Sequence, residues 1–381
     1  MASEFGSSTE NEALKGAIIA RIEREDGITF LDFMAMALYE PGLGYYCSPG
    51  TKMGREGDYL TSPEVSPVFG AMVGRQLREM WGVLGRPGRF NVTEVGAGNG
   101  TLCHDILRWV RRAAPEMRGA IEYIIVEPLP VIEARQRELI GAESLEARVM
   151  WTPELPQGIE GCIVTNELLD SMPVHRVATD DARLRELFVT WDGERFTEAL
   201  REPSTAEIEK YFMRLDVFPG EGCTAEVNLE APRWMKRAAS ALTRGFVLTF
   251  DYGYGADELY APWRKDGTLL CFYRHNPSGD PYARVGRQDI TSHVDFTSLR
   301  RSGDEAGMQT VGFVSQAEFL VNIGIGETLP PAEGEIDLEE RLARRRAVSE
   351  LLDPAGLGRI KVLAQAKAVD SAHLRGFAGD A

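Results

Sequence analysis

The chain is poor in the residues that staple, metallate or anchor a protein. It has five cysteines in 381 residues, an odd number with no CxxC pair, which excludes a disulfide scaffold and points to a reducing compartment. Five equally scattered histidines offer no metal-ligand spacing, so no structural metal is expected. No apolar run approaches the ~20 residues that span a bilayer. The opening MASEFGSSTENEALKG is acidic and polar, without the layout of a secretory signal or of an Arg-rich transit peptide, so the expected location is the cytoplasm. An excess of basic charge is also missing: 42 Lys and Arg face 58 Asp and Glu, a net charge of -16, which argues against nucleic acid as partner. The one basic run, RWVRRAAPEMR at 108–118, reads as the solvated face of a helix.

What is present suffices for one large core or two modest ones, with 44% hydrophobic residues. Apolar residues recur at helical spacing over 12–23 and 28–39. Residues 45–70 are too rich in Gly, Pro and Ser for a regular element yet carry Tyr45, Tyr46, Tyr59 and Phe69, and read as a functional lid. Strands are expected at 89–95, 121–127, 148–151, 161–167 and 245–253, with helices Thr101 to Ala113 and Val131 to Leu139 between them. This alternation implies an α/β fold, a parallel Rossmann-like sheet covered by helices on both faces. Residues 186–200 carry an Asp192-Gly193 hairpin signal, 203–242 two helical patterns, 337–352 a charged helix, and RIKVLAQAK a closing antiparallel strand. The expected organisation is a helical and lid region over 1–88, then a Rossmann-like domain over 89–381 with insertions near 184–240 and 255–335.

The stretch VTEVGAGNGTL, 92–102, places Glu94 and the alternate glycines Gly96, Gly98 and Gly100 between a strand and a helix. Such a turn aims unpaired backbone N–H groups at a ligand and admits it where a Cβ would collide. The dinucleotide pattern GxGxxG would need a glycine at Thr101, which weakens NAD(P) or FAD. Glu127, at the end of the next strand, lies where such folds place an acid against ribose hydroxyls. Turn and acid together suit S-adenosylmethionine, which has no pyrophosphate.

With GREGDYLTSPEVSPVFG (54–70), YIIVEP, NELLDSMPV (166–174), FDYGY and the long segment 267–299, the chain resembles the MidA-type methyltransferases from about residue 12 to 367. The resemblance implies S-adenosylmethionine as cofactor and, from the mitochondrial member of that family, arginine methylation in respiratory complex I assembly. It implies a cofactor-closing role for Asp58 and Thr61, where Asp58 reads equally as a turn residue.

Methyl transfer from a sulfonium is an in-line displacement that needs alignment, dryness and a proton acceptor. Asn166, Glu167 and Asp170 follow the fourth strand, and Asp251 with Tyr252 the fifth, where such groups collect. A guanidinium acceptor needs carboxylates to hold its charge, for which Glu64 and Glu167 are candidates, Glu64 reading equally as a helix N-terminal acid. His175 is a candidate general base, or else a hydrogen-bonded residue at a sheet edge. His275 and His293 flank the long segment, of which QDITSHVDFTSL (288–299) is expected to form one wall of the substrate cleft, the histidines reading as part of a stabilising polar network rather than as catalytic groups. The acceptor is a protein, in the family's case a respiratory-complex subunit, or a small molecule; a cofactor-binding assembly factor without turnover is the reading from another class.

Overall fold

Long apolar runs, buried on both faces, become the strands of one seven-stranded sheet. In chain order these are β1 (Phe90–Val95), β2 (Ile121–Val126), β3 (Val149–Thr152), β4 (Ile159–Asn166), β5 (Leu242–Asp251), β6 (Gln309–Ser315) and β7 (Lys361–Lys367), arranged β3-β2-β1-β4-β5-β7-β6. The pairs from β3 to β5 are parallel, while β7 runs antiparallel to both its neighbours. The computed structural model describes residues 10–48, 54, 57–141, 149–329, 338–370 and 373–379. The chain divides into two units: one of Met1–Tyr59, Leu169–Ala231 and Tyr254–Thr297, the other of Leu60–Leu168, Pro232–Gly253 and Ser298–Ala381.

The second unit carries the sheet. Val92, Glu94, Cys162, Val164, Phe246 and Leu248 are in register across β1, β4 and β5 and so share one face. That face enters a core in which Phe69 meets Phe250 at 5.4 Å, Phe250 meets Phe319 at 5.4 Å and Phe319 meets Phe377 at 5.6 Å, ring to ring. Helix Pro67–Val83 starts under a Ser66 cap with proline in its first turn, and packs closely on helix Thr101–Ala113. A Cβ on Gly74 would stand 2.6 Å from Trp109, so glycine sets that spacing. This helix and the short Ser62–Val65 occupy what was expected to be irregular loop as far as residue 70; residues 49–53, 55 and 56 of that segment, and Arg148 of the expected third strand, lie outside the described residues.

The first unit holds helices Glu12–Glu25 and Phe30–Tyr39, capped by Asn11 and Thr29, over a core of Leu14, Ile18, Phe30, Phe33 and Tyr45. The expected hairpin forms between strands Arg183–Trp191 and Phe196–Arg201, with Asp192 accepting from the Glu194 and Arg195 N–H groups at 2.8 Å. Its strands belong to a five-stranded sheet with Ile28–Thr29, His175–Asp180 and Thr224–Val227.

Candidate functional site

Sheet order reverses direction between β1 and β4, and an open α/β sheet leaves a crevice beyond the carboxyl ends of its strands at such a point. Three chain segments of the second unit reach that edge. After β1 the chain turns through Gly96, Gly98 and Gly100, with φ of 73°, 53° and 86°, the left-handed region where a Cβ is strained. On Gly96 a Cβ would also come within 2.7 Å of Leu168. Gly100 caps helix Thr101–Ala113 without any side-chain bond, so the first N–H groups of that helix face the turn.

Glu127 follows β2 and is 7% exposed. Its Oε1 accepts from the Leu129 N–H at 2.9 Å and its Oε2 from Gln136 Nε2 at 3.3 Å. A carboxylate has about four acceptor sites, so both oxygens keep capacity for a diol. Burial raises its pKa, opposed by the Leu129 and Gln136 bonds.

Gln136 itself is fully buried, and its Nε2 also donates to the Gly98 carbonyl at 2.9 Å, while its Oε1 accepts from the Trp151 indole at 3.0 Å. One amide therefore ties the acid after β2 to the glycine turn after β1. This residue is absent from the sequence expectations. Its signal is that helix Pro130–Gly141 buries Gln136 and Ile140, a polar residue on the apolar stripe.

After β4, Asn166 Nδ2 donates to Glu167 Oε1 at 3.1 Å, and the Ser62 N–H reaches the same oxygen at 3.3 Å. Asn166 Oδ1 is buried and has no donor among the described residues, so it is an acceptor suited to an N–H or ammonium group. Glu167 sits at φ 51°, left-handed without being glycine, and strain of that kind collects at working sites. A diol acceptor, an open glycine turn and an orphaned amide oxygen together fit a ligand with a ribose and an amino-acid head, as S-adenosylmethionine has.

The other expected residues fall elsewhere. Glu64 Oε1 accepts from Thr101 Oγ1 at 2.7 Å and from Asn99 Nδ2 at 3.2 Å, so this acid braces the glycine turn. Thr61 is buried at the N-cap of Ser62–Val65. Glu94, expected among cofactor contacts, points into the core face of β1, where Tyr123 donates to it at 2.6 Å. Burial pushes its pKa up to about 7 against the lowering effect of that bond.

Asp58, Asp170 and His175 belong to the first unit. Asp58 Oδ2 accepts from Tyr45 at 2.8 Å and its Oδ1 from the Arg274 N–H at 2.8 Å, the pattern of a turn residue. Asp170 is buried, and its carbonyl accepts from the Ser292 N–H at 2.9 Å. His175 is 7% exposed, with Nδ1 2.6 Å from Glu186 Oε1, whose other oxygen accepts from the Ser204 N–H at 2.6 Å. Strand pairing makes it a buried sheet residue held by Glu186, in line with the hydrogen-bonded of its two readings. The His275 N–H donates to the Asp58 carbonyl at 2.8 Å, and the His293 ring lies 5.2 Å from that of Tyr254.

Known proteins agree with this chemistry. The sequence profile of an S-adenosyl-L-methionine-dependent methyltransferase family matches residues 72–314. The chain is 28% identical, over 93% of its length and 85% of the relative's, to a protein of Drosophila melanogaster named protein arginine methyltransferase NDUFAF7 homolog, mitochondrial. It is 26% identical to the human protein arginine methyltransferase NDUFAF7, mitochondrial, over 81% of this chain and 72% of that one. These names give the cytoplasmic expectation no support; no described helix is long and apolar enough to cross a membrane. A protein from Burkholderia thailandensis solved bound to S-adenosyl-homocysteine superposes with a TM-score of 0.88 at 36% identity, covering 97% of this chain and 95% of that one. The chain belongs to this family of MidA-like methyltransferases and is an enzyme that uses S-adenosyl-L-methionine as cofactor.

Proposed function

We propose that the protein methylates an arginine nitrogen of a protein acceptor, with the chemistry at the carboxyl ends of β1, β2 and β4. The observation that carries this reading is the Asn166–Glu167 pair, a carboxylate on a strained backbone beside a buried orphan acceptor. The names of the animal relatives support the arginine acceptor. Bound S-adenosylmethionine supplies an electrophilic methyl group on its sulfonium.

In this reading Glu127 takes the ribose hydroxyls on its remaining lone pairs, the glycine turn lies against the cofactor without Cβ obstruction, and Asn166 Oδ1 accepts from the ammonium group. Gln136 and Glu64 act as positioning residues, the first fixing Glu127 and the Gly98 carbonyl, the second bracing Asn99 and Thr101. A guanidinium is a poor nucleophile because its charge is delocalised and permanent. Glu167 accepts charge-assisted N–H bonds from it, orients one nitrogen, and receives the proton that nitrogen sheds.

Glu167→Gln keeps the shape and removes the charge. Turnover on an arginine-containing protein should fall ~100-fold if charge-assisted orientation contributes ~3 kcal/mol, while affinity for S-adenosyl-homocysteine changes little. Parental turnover in this variant removes Glu167 from the role, and efficient methylation of a neutral small molecule by the parent moves the enzyme to the small-molecule class.

A further inference from the structure

The segment 267–299 is the longest family-like stretch in the chain, and the methyl-transfer reading above uses none of it. Its hairpin joins Leu270–Tyr273 to Asn276–Ser278 with Tyr273 opposite Asn276, leaving Arg274 and His275 as a two-residue turn at φ 49° and 61°. Positive φ at both central positions is the type I′ geometry, which Asn-Gly and Gly-Gly dominate. Two residues with large side chains are strained there. Asp58 keeps them in place, its Oδ1 taking the Arg274 N–H at 2.8 Å and its carbonyl the His275 N–H at 2.8 Å. Tyr45 steadies Asp58 in turn through Oδ2 at 2.8 Å. Strain held by a dedicated anchor marks side chains that are displayed for use.

What the turn displays is cationic. Arg274 is exposed, its guanidinium 5.2 Å from the centre of the Tyr273 ring, and the Arg284 guanidinium lies 4.9 Å from the same centre. Neither has a carboxylate at ion-pair distance among the described residues, although the chain carries 58 acids against 42 bases. Two guanidiniums against one ring, without a carboxylate among the described residues, make a local cationic spot that an anion complements. Planar forks of this kind match carboxylates two bonds at a time. A net charge of -16 disfavours polyanions as dense as nucleic acid and leaves room for a short acidic stretch of polypeptide.

We propose that Arg274 and Arg284, gathered on Tyr273 at the turn that Asp58 anchors, dock an acidic polypeptide segment of the methyl acceptor. The proposal rests on the reading of a protein acceptor, and its first test does not depend on catalysis.

Fluorescent poly-L-glutamate is titrated into the full chain at low ionic strength and followed by anisotropy. The parent should bind, and the double variant R274A/R284A should bind at least about tenfold more weakly, the loss expected for about one charge-assisted contact. R274K/R284K, which keeps charge and loses the forks, should recover part of the affinity. Equal binding by parent and R274A/R284A overturns the proposal, as does binding of inorganic phosphate, poly-uridylate or anionic lipid vesicles in preference to polyglutamate. A second assay compares a short arginine peptide with the same peptide extended by an acidic tail: R274A/R284A should raise KM for the extended peptide alone and leave kcat unchanged. A rise in KM for both peptides, or for neither, overturns the docking role. Failure of the arginine reading looks different, because peptide methylation is then absent while arginine-dependent polyglutamate binding persists.

Discussion

Replacing Gln136 by leucine keeps the side chain's approximate volume and deletes a three-way polar junction. The Trp151 indole and the Gly98 carbonyl lose their partner, and Glu127 loses one of its two donors. An unpaired buried polar group costs about 1–3 kcal/mol and a bond to a charged group contributes about 1.5–3 kcal/mol; because Gly98 and Trp151 are only half-buried, the low ends, about 3.5 kcal/mol together, are a ceiling, and the expected destabilisation is about 3 kcal/mol. A urea unfolding curve reads that directly as a lower midpoint at unchanged slope. The cofactor site suffers too, since the acid after β2 and the turn after β1 no longer move as one piece. If two-thirds of the loss falls on the bound state, about 2 kcal/mol, S-adenosyl-homocysteine should bind about 30-fold more weakly by calorimetry. Because Glu167 is untouched, KM for the cofactor should rise well before kcat falls. A Gln136→Leu protein that binds S-adenosyl-homocysteine within twofold of the parent, with an unaltered unfolding midpoint, refutes the junction.

Glu94 makes stability pH-dependent in a definite direction. Its folded pKa of about 7 stands above the ordinary 4.5, so between those values the folded state binds more protons than the unfolded one, and stability falls as pH rises through that window. Glu94→Gln, which leaves Tyr123 an acceptor, should remove the slope and exceed the parent in stability at pH 8 by up to about 3 kcal/mol, with near equality at pH 4; a parent whose unfolding free energy rises from pH 4.5 to 7 contradicts this. Gly98→Val puts a β-branched residue at φ 53° in the turn, where the left-handed backbone alone costs about 1–2 kcal/mol. It should abolish detectable S-adenosyl-homocysteine binding, and calorimetry showing parental affinity would detach the turn from the cofactor.

Period and punctuation in the sequence were enough for the parallel strands and for β7, though not for the edge strand β6. The apolar runs of β1, β2, β4 and β5 alternate with helical stretches, GxGxG interrupts the first of those junctions, and Glu127 stands at the end of the next strand. These are local signals, set by backbone conformation and by residues adjacent in the chain, so they survive without knowledge of the fold. The helix Pro67–Val83 escaped because Gly70, Gly74 and two nearby prolines imitate a loop, whereas a glycine is what lets it approach Trp109. Side-chain roles needed tertiary structure. Glu64, Glu94, Asp58 and His175 are all plausible acids or bases on paper, and what each one does was decided by partners far along the chain: Thr101, Tyr123, Arg274 and Glu186. Gln136 carries no motif at all. The sequence by itself determined the strand–turn–helix frame and its cofactor; only the folded chain decided which buried polar groups are already paired and which, like Asn166 Oδ1, have no donor among the described residues, because hydrogen-bond satisfaction depends on contacts that local sequence does not encode.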